Sequence, residues 1–295
     1  MARPLVYGGL AVGVLVVSTA AILIRAAQND GADSVVIATL RLGLATLALA
    51  PLALAQDRAR WGELTRKDVL WCAMSGVCLA VHFGTWITSL EFTSVASSTA
   101  LVTTNPIWVG IASLVLLRES VSRETVWGIM LAIAGTLTML VADSANVTTG
   151  SSHLLGNTLA LVGAVSASGY LIIGRSLRVR VPLLTYVCLA YGSGAIILWI
   201  TVALQGHTVT GMSSLAYWCI IALALGPQLL GHTLLNWSVR QLPATLVALS
   251  ILGEPIGSSL LALLIFGETI SRWQALGFAL ILAGIFFATV RTEPR

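Results

Sequence analysis

Ten apolar stretches, each about as long as a helix must be to cross a lipid bilayer, leave this chain few ways to fold. They run approximately over residues 5–24, 34–55, 69–90, 97–117, 125–141, 154–173, 183–204, 215–239, 244–266 and 273–290. In a hydrocarbon core roughly 30 Å thick, a spanning segment must satisfy its own backbone N–H and C=O groups, which a helix does. The expected fold is an all-α membrane protein with ten transmembrane helices. Composition agrees, since 57% of residues are hydrophobic and 9% are charged, against roughly 25% charged in soluble domains. The longest gaps, 56–68 and 142–153, are loop-sized and leave no compartment for ATP hydrolysis. The first run resembles a signal peptide in position, but it matches the run after Leu154 and is read as helix 1.

The segment from Pro106 to Val141 recurs from Pro255 to Val290 at an offset of 149 (255 − 106). In both copies an apolar run ends in Glu and then Ser-Arg (Glu119, Ser122, Arg123; Glu268, Ser271, Arg272). A Gly and an Ala-Gly step follow (Gly128, Ala134, Gly135; Gly277, Ala283, Gly284). One five-helix unit is expected twice, over residues 1–145 and 146–295. An odd number of crossings per unit inserts the second copy upside down, and inverted repeats are a common build of secondary transporters.

Charge gives the orientation. With both termini cytoplasmic, thirteen Lys and Arg fall on that side, Arg25 and Arg272 on the other, and Arg41 within helix 2. That bias follows the positive-inside rule. Arg118 and Arg123 follow helix 4, whereas the equivalent turn after helix 9 has Gly267 and keeps only Arg272, as inversion requires. The net charge of +4 therefore reflects topology and attraction to anionic lipid rather than a nucleic-acid partner. Cys72, Cys78, Cys188 and Cys219 lie inside apolar runs without ligand spacing and read as packing residues.

Polar residues inside the spans mark a candidate path. In helix 8, Gln228, His232 and Asn236 share one face, one turn from Pro227, which invites a kink. In helix 3, His82 and Trp86 recur at the same spacing, and His82 precedes His232 by 150 residues. A pseudo-two-fold axis brings such positions toward a common midplane cavity. The bland alternative is a set of interhelical hydrogen bonds worth roughly 0.6 kcal/mol each. Two histidines without a nearby thiolate or carboxylate fall short of a zinc ligand set, so no metal is expected.

Helices 4 and 9 each carry a polar residue before a mid-helix proline, Asn105-Pro106 and Glu254-Pro255. The carbonyl that proline leaves unpaired is tolerated where it lines protein or a wet cavity. Trp108, Ser166 and Tyr170 lie inside polar faces and are candidate cavity lining. Glu254 and Arg41 are the charged residues deepest in the apolar runs, where each costs roughly 2.5–3.5 kcal/mol to insert without a partner. They can pair as a structural bridge, or Glu254 can bind a substrate ammonium or a coupling proton. Arg41, Pro106, Pro227 and Pro255 are read as structural or gating residues.

Several of these pieces resemble one known family across the whole chain. They are Ser89 to Ala96, Pro106, Leu117-Arg118-Glu119 and Ala134-Gly135, then Leu242-Pro243-Ala244, Glu254-Pro255, Phe266-Gly267-Glu268 and Ala283-Gly284. Arg41, in Leu40-Arg41-Leu42-Gly43, fits as well. The pattern is similar to the ten-helix EamA-type branch of the drug/metabolite transporter superfamily, and most of all to bacterial inner-membrane exporters of amino acids and metabolites. The resemblance implies alternating access around a cavity enclosed by helices 1, 3, 4, 6, 8 and 9. It implies no cofactor and a small-molecule substrate, with proton coupling open and either a monomer or a homodimer. An importer or a drug exporter of the same fold is the nearest rival. An intramembrane enzyme is disfavoured, since neither a His-Glu-x-x-His nor a Gly-x-Ser-x-Gly motif is present. A sensor or scaffold predicts an attached signalling domain or long tail, which the sequence does not contain.

Overall fold

The computed structural model describes residues 3–115, 123–145, 152–177, 180–239, 251 and 253–290, and every regular element among them is helical. In the first half these are α1 (Arg3–Ser18), α2 (Ala20–Asn29), α3 (Ser34–Gln56), the single turn α4 (Arg58–Trp61), α5 (Arg66–Phe92), α6 (Val95–Val102), α7 (Asn105–Val115) and α8 (Arg123–Ala145). The second half has α9 (His153–Leu177), α10 (Leu183–Gln205), α11 (Ser214–Leu223), a π-helical stretch (Ala224–Gly231), α12 (His232–Val239), α13 (Gly253–Phe266) and α14 (Arg272–Val290). Among the described residues, six stretches are long and apolar enough to cross a membrane: Pro4–Asn29, Ser34–Gln56, Arg66–Phe92, His153–Gly174, Leu183–Gln205 and Ser214–Leu235. They correspond to the first three runs of each repeat.

The fourth run departs from expectation. Pro106 is the second residue of a new helix, α7, rather than a kink within a continuous one. Pro106 has no N–H to give the Val102 carbonyl and its ring crowds that carbonyl, so the helix breaks at Thr103 and Thr104, whose hydroxyls cover the gap. Thr103 Oγ1 donates to the Thr99 carbonyl at 2.8 Å, and Thr104 Oγ1 to that of Leu101 at 2.7 Å. Pro255 is the third residue of α13 as described, and Ile251, two residues before that helix, is helical as well. Arg118, Glu119 and Ser122 lie outside the described residues.

Glycines set how closely the helices pack. A Cβ on Gly135 would meet the Gly277 carbonyl at 2.6 Å, and one on Gly284 would meet that of Gly128 at 2.5 Å. Residue numbers rise along α8 as they fall along α14, so the two run antiparallel with their backbones in contact. Small residues permit this approach where the hydrophobic effect does not drive helices together. The same logic packs α5 against α9, where Gly156 meets Ser89 to Thr93 and Gly163 meets His82 to Trp86. It also packs α1 against the π stretch and α12, where Gly13 meets Leu234 and Leu235 and Gly231 meets Val17.

α3 and α10 are tied at both ends. Asp57 accepts from the backbone N–H and hydroxyl of Thr185, at 3.2 and 2.8 Å. At the other end His207 Nδ1 lies 3.0 Å from Asp33. Large apolar side chains such as Leu204, Leu264, Trp127 and Trp218 remain uncovered by protein, as lipid contact demands.

Candidate functional site

Two adjoining cavities lie between the halves. The larger, about 180 Å³, is walled by α5, α9, α10 and the π stretch, with Phe83, Tyr170, Tyr186 and Tyr191 among its lining. The smaller, about 100 Å³, is walled by Arg41, Trp86, Pro227 and Glu254 among others. His82, Phe83, Asn105 and His232 line both, so the pair forms one chamber with a shared waist.

Each waist residue is held by its backbone context. Asn105, with its amide nitrogen so turned, donates to the carbonyls of Ala164 at 2.9 Å and Val102 at 2.8 Å. It thereby caps the broken end of α6 and ties it to α9. His82 Nδ1 sits 2.9 Å from the Gly163 carbonyl. A carbonyl only accepts, so Nδ1 carries a hydrogen, and in the neutral ring Nε2 offers a lone pair. The imidazole stacks on Trp86 with ring centroids 5.7 Å apart.

His232 begins α12 where the π stretch ends. Pro227, lacking an N–H, lies inside that stretch, which absorbs the mismatch where a simple kink was expected. Such π segments concentrate at functional sites.

Arg41 is the largest fully buried side chain in the protein as described, at 1% exposure. Its Nε donates to Gln228 Oε1 at 3.0 Å, and its guanidinium lies over the Phe83 ring at 4.2 Å. A desolvated stack of this kind is worth about 2 kcal/mol, which offsets part of the burial cost. Arg41 and Glu254 both line the smaller cavity, yet no ion pair within 4.0 Å joins them among the described residues. The direct bridge considered from the sequence is not formed; the two side chains line one cavity without pairing.

Of the remaining sequence candidates, Tyr170 lines the larger cavity and stacks on Tyr186 at 5.8 Å. Gln228 also lines the larger cavity. Trp108, Ser166, Pro106 and Pro255 contribute to neither cavity. Trp108 instead donates its indole N–H to Thr104 one turn back, at 3.0 Å. The Asn236 side chain lies outside the described residues. Sequence reasoning missed Phe83, Tyr186 and Tyr191. The available signal was a tyrosine hydroxyl inside an apolar run, which needs a partner when buried. Tyr186 finds one in Ser75, at 2.6 Å. Among the described residues no three His, Cys, Asp or Glu converge as metal ligands would.

Comparison with known proteins matches the chain to one family. The EamA-like transporter family matches residues 5–141 and again residues 154–290. The chain is 23% identical to an uncharacterized transporter of Clostridium kluyveri over 264 residues, covering 88% of this chain and 84% of that one. An uncharacterized transporter of Archaeoglobus fulgidus is 24% identical, with 96% of each chain covered. A crystal structure superposes with a TM-score of 0.64 at 19% identity, covering 99% of this chain and 100% of the other, and shares the fold.

Proposed function

Because the chain belongs to the EamA-like transporter family, we propose that it is a bacterial inner-membrane secondary transporter exporting small metabolites, amino acids foremost, by alternating access through the central chamber. The observation that carries this reading is the shared waist, where His82 from one repeat and His232 from the other line both cavities. A chamber whose polar groups come from both repeats suits a substrate passed between them.

Ten crossings in two inverted units, residues 1–145 and 146–295, fit the antiparallel pairing of α8 and α14 through Gly135 and Gly284. The charge bias supports cytoplasmic termini. Substrate contacts are assigned to His82, Trp86, Asn105, Tyr170, Gln228, His232 and Glu254. Amide, imidazole and carboxylate groups bind the polar head, and the aromatic side chains accommodate the rest. Glu254 faces Arg41, His82 and His232 across the smaller cavity and is the coupling carboxylate if export is proton-linked.

Counterflow in proteoliposomes with a panel of labelled amino acids, at two external pH values, tests the reading. Saturable exchange is expected, with at least a tenfold loss in Gln228→Ala per molecule of folded protein reconstituted. Exchange that Gln228→Ala leaves intact removes the chamber from the path. A response to a pH gradient that survives in Glu254→Gln removes Glu254 from coupling.

A further inference from the structure

Two hydrogen-bond donors on residues that line the smaller cavity have no protein partner among the described residues. They are Arg41 Nη1 and Trp86 Nε1, both buried. A buried polar group without a partner is expensive, and a charged one more so. Arg41 cannot turn away to find one, because Gln228 holds its Nε and Phe83 supports its face. Trp86 is fixed in turn by its stack on His82. On the same cavity wall is Glu254, with no ion pair to Arg41 among the described residues.

We infer that the smaller lobe recognises a zwitterion, with Arg41 and Trp86 binding its carboxylate and Glu254 facing its ammonium. The inference rests on the transport reading above and assigns the two charged ends of the substrate to named side chains. It also moves Arg41 from scaffold to ligand contact. The logic is charge balance. Arg41 and Glu254 neutralise each other overall but stand apart, so a lone anion would satisfy Arg41 and repel Glu254, and a lone cation would do the reverse. A ligand with both charges on neighbouring atoms satisfies both at once.

Space agrees with charge. About 100 Å³ is a few waters' worth of volume at about 30 Å³ each, on the scale of an ammonio-carboxylate head. The side chain then extends past the waist into the larger lobe among Phe83, Tyr170, Tyr186 and Tyr191. A guanidinium presents its donors in a planar fork that suits a carboxylate, and Trp86 Nε1 supplies a further donor.

The test compares congeners on the full chain in lipid nanodiscs. Binding of leucine is measured against 3-methylbutylamine and 4-methylpentanoate, which keep the side chain and lose one charge each. Alanine and phenylalanine are run with their own truncated amines and acids. At least one amino acid is expected to bind at least tenfold tighter than both of its analogues. Trp86→Phe, which keeps an aromatic ring and removes the donor, should weaken that amino acid and its acid several-fold more than its amine. Arg41→Gln should abolish the preference for the amino acid over the amine.

An amine or acid that binds wild type as tightly as its parent in all three series overturns the inference, and so does failure of all three amino acids to bind. The wild-type comparison decides even if Arg41→Gln fails to fold. Counterflow separates the two levels: amino acids that exchange without charge discrimination sink only the zwitterion, whereas no exchange of any amino acid sinks the amino-acid reading beneath it.

Discussion

Arg41 and Glu254 dictate the chemistry of the residues around them, because charge at membrane depth has to be answered by something. Gln228 answers part of it. Gln228→Leu removes the acceptor from a buried guanidinium and is expected to destabilise the protein by about 1–3 kcal/mol, read as a lower melting temperature in detergent. An unchanged melting temperature would mean that Arg41 is held by something other than Gln228. The polar half of the chamber was legible in the sequence for the same reason: His82, Gln228, His232 and Glu254 are conspicuous in apolar runs. The aromatic half was not. Phe83, Tyr186 and Tyr191 look like ordinary span residues until α5 and α10 are placed side by side. Trp108 and Ser166 show the converse, since a polar or aromatic residue in a span can be satisfied locally, as the Trp108 indole is by Thr104.

At the scale of elements, glycine contacts and end ties decide which helices move together. Gly135→Leu inserts a side chain where a backbone carbonyl already lies within 2.6 Å of a Cβ. The cost should be at least the roughly 1–3 kcal/mol typical of overpacking. Gly8→Leu, with nothing within 4 Å, should stay within about 0.5 kcal/mol of wild type. Equal melting temperatures for the two variants would refute the tight α8–α14 seam. A second element-scale prediction concerns Arg25, whose guanidinium lies 3.5 Å from Glu268 and donates to the Thr93 carbonyl at 2.6 Å. Glu268 also accepts from the Val95 N–H that opens α6, at 2.8 Å. These contacts close α2, α6 and the α13–α14 turn at one end of the chamber. A partly exposed pair of this kind is worth about 1 kcal/mol at most, so Arg25→Ala should shift an opening equilibrium rather than unfold the protein. A cysteine replacing Ala20, in the smaller cavity's wall, should then react several-fold faster with a water-soluble maleimide added on the α2–α3 side. An unchanged rate would show that the contact does not gate. Helix positions were readable in advance because a bilayer leaves the backbone no other choice. The break at Thr103 was less so, since Pro106 permits either a kink or a new start and the threonine hydroxyls decide between them.

Across the whole molecule, one fold unit used twice accounts for the matching histidines and the opposed glycines. The offset of 149 carried most of that information before any coordinates. What it could not carry was the chamber's shape, which depends on how far the π stretch and the α6–α7 break displace their side chains from ideal helical phase. The claim beneath every functional statement is that the two halves thread the membrane in opposite senses. With Cys72, Cys78, Cys188 and Cys219 replaced, a single cysteine is placed at Glu124, at the start of α8, or at Ile270, just before α14, and probed in intact and opened vesicles with a membrane-impermeant maleimide. The two positions are predicted to label from opposite faces, Glu124 from the cytoplasmic side. Labelling of both from the same face would contradict the inverted arrangement and the alternating access built on it.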